Sequence, residues 1–486
     1  MKGRNILFAV LAVGLVVQAH AITNYWINPG VGLWNIPTNW ATGAIPGNDE
    51  ARIGNGGTAL IDDSQVVSAS FVVMGDTNGT SGTLRMTGGI LVCGFDVRVG
   101  GTILGAGAAS TGFFEQSGGF VFMNDGNVNV GYGIGSAGTY NLSGGDLQIN
   151  SGAIFAIGNR TSGTVNQSNG TVYVRGFSAP GTAVTQIGRN TATIPASGTY
   201  NLSGGILLTP RLQFGNAVGG AGSINVFNLT DTGMLICNSI SVTNTSAFNA
   251  FNFTGGTLVA NGLGITLVNN GGTFSPGRAD FASNEGTTAT NLPINPISVA
   301  VFTTNSYFQG SNGTLRIDIA ATGSNDFVDI GLPDATGLTG SSASLEGTIA
   351  VHVLDEFNPP LHSTFDILVA DSITNHAVVT GLTPDGYGFR ASTFIGDDGR
   401  YNLRLTVVVT PARLSVPVVL GDGSIQIAFA GSVGALYSVS GSTNIALPLS
   451  NWPVLGPATE TSPGQYQFTD VPAPGGSQRF YAVFAQ

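Results

Sequence analysis

Side chains able to act as nucleophiles, bases or metal ligands are scarce in this chain of 486 residues. Three of its four histidines, His352, His362 and His376, lie in the C-terminal half. The motifs Gly-x-Ser-x-Gly, His-Glu-x-x-His and Cys-x-x-Cys are absent. A histidine between two valines of an alternating strand, such as His352, is usually a solvated surface residue. We therefore expect all three histidines to lie on the surface without a catalytic role.

Carboxylates suggest a second chemistry, the cleavage of polysaccharides. This reaction needs a carboxylate pair, or clustered acids with calcium and an arginine or lysine base. Acids are sparse between residues 61 and 280, and Asp96, Glu115 and Asp146 occupy different positions of the repeat described below. Only folding of the loops could bring two of them together. The sequence predicts no catalytic residue.

Two acidic pairs further along the chain could contribute to a calcium site. They are Asp326 with Asp329, and Asp397 with Asp398. Without a complete ligand loop, such pairs are more often turn residues. We expect no metal site and no cofactor.

The composition limits both the fold and the partners. Only 9% of the residues are charged, and 73 are glycine without the three-residue period of collagen. The net charge is −11 and no lysine follows Lys2, so scattered arginines cannot form the basic patch that holds nucleic acid phosphates. We expect an all-β protein that binds no nucleic acid.

The N-terminus has the layout of a secretory signal peptide. Lys2 and Arg4 precede an apolar run over residues 6–17, and Ala19-His20-Ala21 is a small-x-small cleavage site. The run is too short to span a bilayer. We expect residues 1–21 to be removed, leaving no membrane span. The mature protein is then secreted or on the cell surface, with the periplasm as an alternative.

One pattern recurs along the chain: apolar, polar, apolar or Gln, Ser or Thr, Gly, Gly. Its copies begin at Leu84, Phe114, Tyr140, Val165, Tyr200 and Phe251, with a degenerate copy at Phe227. The first five copies are 25 to 35 residues apart. A period of this size indicates a solenoid, a propeller or an array of small units.

Within each copy the apolar residues alternate with polar ones, as in a strand, and further short strands end at glycines. The repeat is too short for a propeller blade, so each copy fits one coil of a right-handed parallel β-helix, with like positions about 4.8 Å apart. We expect asparagine amides of the outward column to hydrogen-bond between coils, and Arg85 to face Glu115. That column is Arg85, Glu115, Asn141, Asn166, Asn201, Asn228 and Asn252.

The two cysteines have the same offset from the glycines of their copies. Cys93 lies four residues after Gly89, and Cys237 lies four after Gly233. Both therefore belong to one inward column, five coils or roughly 24 Å apart. Because a disulfide needs Cα atoms within about 7 Å, we predict two buried free thiols.

Three of the four tryptophans, Trp26, Trp34 and Trp40, lie close together near the N-terminus. They could form an aromatic platform that binds sugars, as could Trp452. The ends of a solenoid need covering, and we therefore favour a hydrophobic cap on the first coil for the N-terminal three.

Several of these motifs resemble those of bacterial autotransporter-associated β-strand repeat proteins, the exported β-helix proteins of the Verrucomicrobia and Planctomycetes type. The resemblance rests on the tryptophan segment with its Pro46-Gly47-x-Asp49-x-Ala51 tail, the Tyr-Asn-Leu-Ser-Gly-Gly copies, Gly271-Gly272-Thr273-Phe274-Ser275-Pro276-Gly277, and a Ser442-Thr443-Asn444 module near the C-terminus. It implies that the Gly271 motif closes the β-helix and that a β domain follows. It implies no catalytic residue.

The predicted organisation has five parts. They are a signal peptide at 1–21, an N-terminal cap at 22–60, β-helix repeats at 61–280, a β domain at 301–410, and a β-sandwich-like module at 412–486.

The function predicted first is that of an exported, non-enzymatic structural or adhesive protein of the cell surface or extracellular matrix. Its expected partners are cell-surface polysaccharide or other surface proteins. The alternatives are a β-helix polysaccharide lyase or hydrolase, and a carbohydrate-binding protein that uses its tryptophans.

Overall fold

The structure is a computed structural model, and it describes residues 22–485 except for the following segments. These are 77–78, 102–108, 151–153, 176–182, 191–192, 217–220, 280, 282–293, 296, 304–305, 332–339, 355–356 and 472–477. The predicted signal peptide lies outside the described residues. The fold is all-β, with a parallel β-solenoid of about 11 turns over residues 23–380 and small antiparallel sheets after it. None of the described helices is long and apolar enough to cross a membrane.

Each coil contributes strands to three parallel ladders, which we number in the order that the chain visits them. Ladder 1 contains β2 (Val31–Leu33), β4 (Thr58–Ile61), β7 (Ser81–Met86), β10 (Thr111–Gln116), β13 (Ala137–Leu142), β16 (Ser162–Gln167), β19 (Ser197–Leu202), β21 (Ile224–Leu229), β23 (Phe248–Phe253), β26 (Leu267–Asn269), β31 (Ser306–Gln309), β35 (Ser342–Leu345) and β38 (Ser372–Asn375).

The other two ladders share the long strands β20 (Ile206–Phe214) and β22 (Met234–Val242). Ladder 2 also contains β5 (Val66–Ala69), β8 (Ile90–Cys93), β11 (Phe120–Met123), β14 (Asp146–Ile149), β17 (Thr171–Val174), β24 (Thr257–Ala260), β27 (Thr273–Pro276), β32 (Thr314–Ala321), β36 (Thr348–Val353) and β39 (Val378–Thr380). Ladder 3 also contains β1 (Thr23–Tyr25), β3 (Glu50–Ile53), β6 (Phe71–Met74), β9 (Val97–Val99), β12 (Val128–Val130), β15 (Ile154–Asn159), β18 (Val184–Arg189), β25 (Gly262–Leu263), β30 (Val299–Phe302), β34 (Phe327–Ile330) and β37 (Thr364–Ala370).

The predicted register is confirmed in ladder 1. The outward column pairs coil by coil from Arg85 through Glu115 and the asparagines to Asn252. The alternate residues point inward and are fully buried from Leu84 to Phe227. Their rings stack where neighbours allow, as for Phe114 and Tyr140, whose centroids are 4.6 Å apart. The core is therefore one continuous, mainly apolar column inside the coils.

The glycine pairs mark the corner between ladder 1 and ladder 2. Gly119 has a φ of 76°, which an L-residue with a side chain rarely adopts. A Cβ atom at Gly119 would also lie 2.3 Å from the carbonyl oxygen of Gly88 in the preceding coil. Glycine recurs at this corner because the backbone turns sharply and successive coils pack against each other without room for a side chain.

The solenoid extends beyond the boundaries that the repeats predicted. At its start, β1 and β2 already pair in ladders 3 and 1, so the N-terminal segment at 22–60 contains strands of the first coil as well as the tryptophan cluster. At its far end, β30, β31 and β32 stack in parallel on β25, β26 and β27, so Gly271–Gly277 does not close the solenoid and residues 301–380 are no separate domain. These coils keep the inward alternation but have lost the Ser-Gly-Gly signature.

Antiparallel strands follow the last coil. β40 (Gly388–Ile395) and β41 (Tyr401–Val408) form a hairpin that pairs with β37. Three short strands lie outside the ladders or at their edge: β28 (Arg278–Ala279), β29 (Ile294–Asn295) and β33 (Ser324–Asn325).

The C-terminal module consists of two small antiparallel sheets around a shared core that includes Phe429, Tyr437 and Tyr466. One sheet contains β42 (Arg413–Leu414), β43 (Val418–Val419), β44 (Ile425–Ala430), β47 (Thr459–Ser462) and β48 (Gln465–Asp470). The other contains β45 (Tyr437–Ser442), β46 (Val454–Pro457) and β49 (Phe480–Ala485). Two short 3-10 turns cover Pro37–Asn39 and Leu449–Asn451.

The inward and outward assignments predict unequal effects for two neighbouring residues. Leu142 is 1% exposed, so Leu142→Asp places an unpaired charge in the core and should lower the free energy of unfolding by several kcal/mol. Asn141→Ala removes an outward amide and should cost about 0.5–1.5 kcal/mol. Urea denaturation measures both, and equal losses would contradict the assignment.

Candidate binding surface

Five asparagines on the outer face of ladder 1 form an unbroken chain of side-chain hydrogen bonds, which we call the asparagine ladder. It consists of Asn141, Asn166, Asn201, Asn228 and Asn252. From Asn166 onward, each Nδ2 donates to the Oδ1 of the preceding asparagine, over distances of 2.8, 2.7, 2.6 and 2.7 Å. All four bonds run in the same sense, because in-register stacking places identical side chains one coil apart.

A groove of about 300 Å³ runs beside the N-terminal part of this ladder. The amides of Asn141, Asn166 and Asn201 line it together with the serines of the following turns. Those serines are Ser143, Ser168 and Ser203. The lining therefore carries uncharged donors and acceptors that repeat from coil to coil.

A buried polar pair supports the groove from inside. The amide of Gln167 lies in the core, where its Oε1 accepts a 2.6 Å hydrogen bond from Tyr200 of the next coil. Its Nε2 donates to two backbone carbonyls, those of Gly170 and Ile206, both at 3.0 Å. Every polar atom of the amide is thus satisfied, as a buried amide requires.

The same pair occurs two coils earlier, where Tyr140 donates to Gln116 over 2.6 Å. In the sequence pattern, glutamine replaces an apolar residue of the repeat, but the pattern does not identify its partner. The signal was present, since both tyrosines begin the copy that follows a glutamine copy.

Charge is confined to the N-terminal end of the column. Arg85 donates to Glu115 over 2.7 Å, as predicted, and both side chains are about 40% exposed. A solvated pair of this kind contributes well under about 1 kcal/mol. Its importance for the groove is that the only carboxylate in the column already has a partner.

The residues considered for catalysis do not converge. His352, His362 and His376 are all exposed. His352 lies 3.3 Å from Asp318 and 3.2 Å from Arg316 on the outside of ladder 2, and His376 lies 3.5 Å from Glu346. These are surface contacts without a neighbouring nucleophile among the described residues.

Three of the four carboxylates considered for calcium accept hydrogen bonds from other groups of the protein. Asp326 is fully buried, and its two oxygens accept backbone hydrogen bonds from Ser298 (2.9 Å) and Asp318 (3.0 Å). Burial raises the pKa of Asp326 to about 7. Asp329 forms an ion pair with Arg400 at 3.1 Å. In the second pair, Asp398 accepts a hydrogen bond from the backbone N–H of Arg400 over 3.0 Å, as a turn residue does. Across the described part of the chain, no group of three His, Cys, Asp or Glu residues could hold a metal ion.

The tryptophans are buried. Trp26, Trp34 and Trp40 are 2%, 0% and 1% exposed, and the rings of Trp26 and Trp34 each pack edge to face with the ring of Trp40. Trp452 is 8% exposed and donates to the carbonyl of Leu447 over 3.0 Å. Because a sugar stacks only on an open ring face, these four rings do not provide the aromatic platform considered above.

The cysteines are free and buried, as predicted. Burial raises the pKa of Cys93 to about 12 and raises that of Cys237 even further. Since the thiolate is the reactive form, neither thiol is a candidate nucleophile.

The buried pair under the groove predicts a non-additive effect. Tyr200→Phe leaves the Gln167 oxygen without a donor and should cost about 1–3 kcal/mol of unfolding free energy. Gln167→Leu leaves the buried Tyr200 hydroxyl without an acceptor and should lower the unfolding free energy by a similar amount. The double variant removes both polar groups, so its cost should be smaller than the sum of the single costs. Denaturation of the four proteins measures this coupling, and strict additivity would contradict the pairing.

No protein family matches the chain, and no curated protein matches it either. The resemblance to autotransporter-associated repeat proteins therefore stays a hypothesis. The structure itself identifies the chain as a β-solenoid protein of about 11 turns.

Proposed function

We propose that this protein is an exported, non-enzymatic adhesive or structural solenoid of the cell surface or extracellular matrix, and that its asparagine ladder binds a neutral polysaccharide. The observation that carries the proposal is the continuous amide ladder beside an open groove. Export rests on the signal-peptide layout of residues 1–21, and membership of the autotransporter-associated repeat group rests on the repeat motifs.

The amide groups of the ladder retain hydrogen-bonding capacity after the coil-to-coil bonds are made. An amide has two N–H donors and an oxygen with two lone pairs. Asn166 and Asn201 each use one N–H donor and one oxygen lone pair in the hydrogen bonds to their neighbours in the ladder. One donor and one acceptor per residue remain, next to the serines of the groove. Sugar hydroxyls, which both donate and accept, complement such a lining.

The repeat favours a polymer over a small ligand. Equivalent groups recur at the coil spacing of about 4.8 Å, so a chain lying along the groove meets the same contacts several times. The groove lining contains no aromatic ring, and each contact is therefore weak. Several weak contacts to one molecule give a useful total affinity, because each further contact is intramolecular.

The same arrangement argues against cleavage as the activity of this groove. Hydrolysis of a glycosidic bond uses two carboxyl groups about 5–9.5 Å apart, one on each side of the bond. Glu115 is the carboxylate of the outward column, and it is engaged by Arg85. A β-helix lyase or hydrolase is accordingly our second candidate, which the experiment below distinguishes.

The test is affinity electrophoresis of the purified protein in gels that contain neutral polysaccharides, namely xylan, galactan, glucomannan and dextran. We expect retardation in at least one gel. Asn166→Ala removes the middle one of the three amides that line the groove, together with both of its ladder bonds. It should weaken the binding about three- to tenfold. Asn451→Ala, at an exposed position of the C-terminal module, is the matched control and should bind like the unmodified protein.

Release of reducing ends from the same polysaccharides is measured in parallel. Retardation without release supports an adhesive protein, whereas release would replace the proposal with the enzymatic alternative. Equal binding by the unmodified protein and Asn166→Ala would show that the ladder is not the binding surface.

A further inference from the structure

Ladder 3 carries two arginines on adjacent coils, on a different side of the solenoid from the asparagine ladder. Arg189 is the last residue of β18 and pairs in register with Asn159 of β15. Arg160 follows Asn159, and its backbone N–H donates to the carbonyl of Arg189 over 3.1 Å. The two arginines are thus in direct backbone contact, and the charge of Arg160 acts on that of Arg189, in a chain whose net charge is −11.

Among the residues that the structure describes, this pair lacks the counter-ion that most other arginines have. Seven arginines of the described chain have a carboxylate within 4.0 Å: Arg52, Arg85, Arg98, Arg316, Arg400, Arg404 and Arg479. Neither Arg160 nor Arg189 has one among the described residues. The carboxylate of Asp96 also attracts Arg189, but from more than 4.0 Å away. Its own hydrogen bonds are to Arg98 (2.9 Å) and to the backbone N–H of Asn127 (2.8 Å).

Both arginines are also partly buried, which makes the missing counter-ion costly. Burial and the charge of Arg160 lower the pKa of Arg189. The backbone adds a second cost, since Arg160 has a φ of 66° in the left-handed region. The fold therefore tolerates an unfavourable pair at a strained position, although glycine would fit there.

An unsatisfied acceptor lies on the same strand. Gln186, three residues before Arg189, is 5% exposed, and its Oε1 has no hydrogen-bond partner among the described residues. On the neighbouring coil, the Asn159 amide is also buried and donates to Asn129 over 2.8 Å. Within the described part of the chain, the strand that contains this acceptor without a donor also ends in one of the two arginines without a carboxylate partner. This combination complements a ligand carrying both an anionic group and a hydroxyl.

We propose that Arg160 and Arg189 bind the anionic group of an acidic saccharide, a carboxylate or a sulfate. The two guanidinium groups hold its oxygens with charge-assisted hydrogen bonds, and a sugar hydroxyl donates to Gln186. The ligand neutralises the repulsion between the arginines. This site is independent of the proposed neutral-polysaccharide groove and would give the solenoid a second, chemically different binding face.

The test is isothermal titration calorimetry of the full protein at constant ionic strength. The probes are trigalacturonate, galactose 6-sulfate, inorganic sulfate and galactose. We expect binding of one or both acidic sugars and none of galactose. Arg189→Gln should weaken that binding at least tenfold. Arg413→Gln removes the same charge at an exposed position of the C-terminal module and should leave the affinity unchanged.

Arg160→Gly separates binding from folding. Glycine readily adopts a φ of 66°, so this variant should melt at a temperature no lower than that of the unmodified protein. Its affinity for the acidic sugars should nevertheless fall at least tenfold. Asn166→Ala should bind the acidic sugars normally, which distinguishes this site from the groove. The proposal is overturned if neither acidic sugar binds, if both arginine variants bind as tightly as the unmodified protein, or if inorganic sulfate binds as tightly as the sugars.

Discussion

Parallel hydrogen bonding between successive coils is the constraint on which the rest of this structure depends. Each strand of ladder 1 pairs in register with the strand one coil before and one coil after it, so equivalent residues stack directly. The corners must then allow the backbones of two coils to meet, and Gly119 shows why only glycine does so. Columns of like residues, inside and outside, follow from this one requirement.

Stacking turns single polar residues into extended chemical features. On the outside, isolated asparagines become a directional chain of amides, whose members polarise one another. On the inside, the same stacking presents Tyr200 to the glutamine of the preceding coil and satisfies an amide that would otherwise destabilise the core. The same repeat therefore determines both the outward amides that line the groove and the buried polar pair behind it.

The two proposed binding faces differ because they arise from different parts of the coil. The asparagine ladder lies in the regular strand, where every copy contributes the same group and a polymer is the natural partner. Arg160 and Arg189 lie at a corner of ladder 3, where coils differ in length and residue type. The site proposed at this corner is therefore single, and it is defined by the lack of a counter-ion among the described residues rather than by repetition.

How much could be predicted from the sequence depended on whether the signal was local. The all-β solenoid, the outward column from Arg85 to Asn252 and the free state of Cys93 and Cys237 were all predictable, because strand alternation and a short repeat act over a few residues. The continuation of the solenoid to residue 380 was not, since those coils keep the alternation but lose the glycine signature. The placement of Arg160 beside Arg189 was also hidden, because the loops between their strands vary in length. Only coil stacking in the folded chain decides which residues of such loops meet.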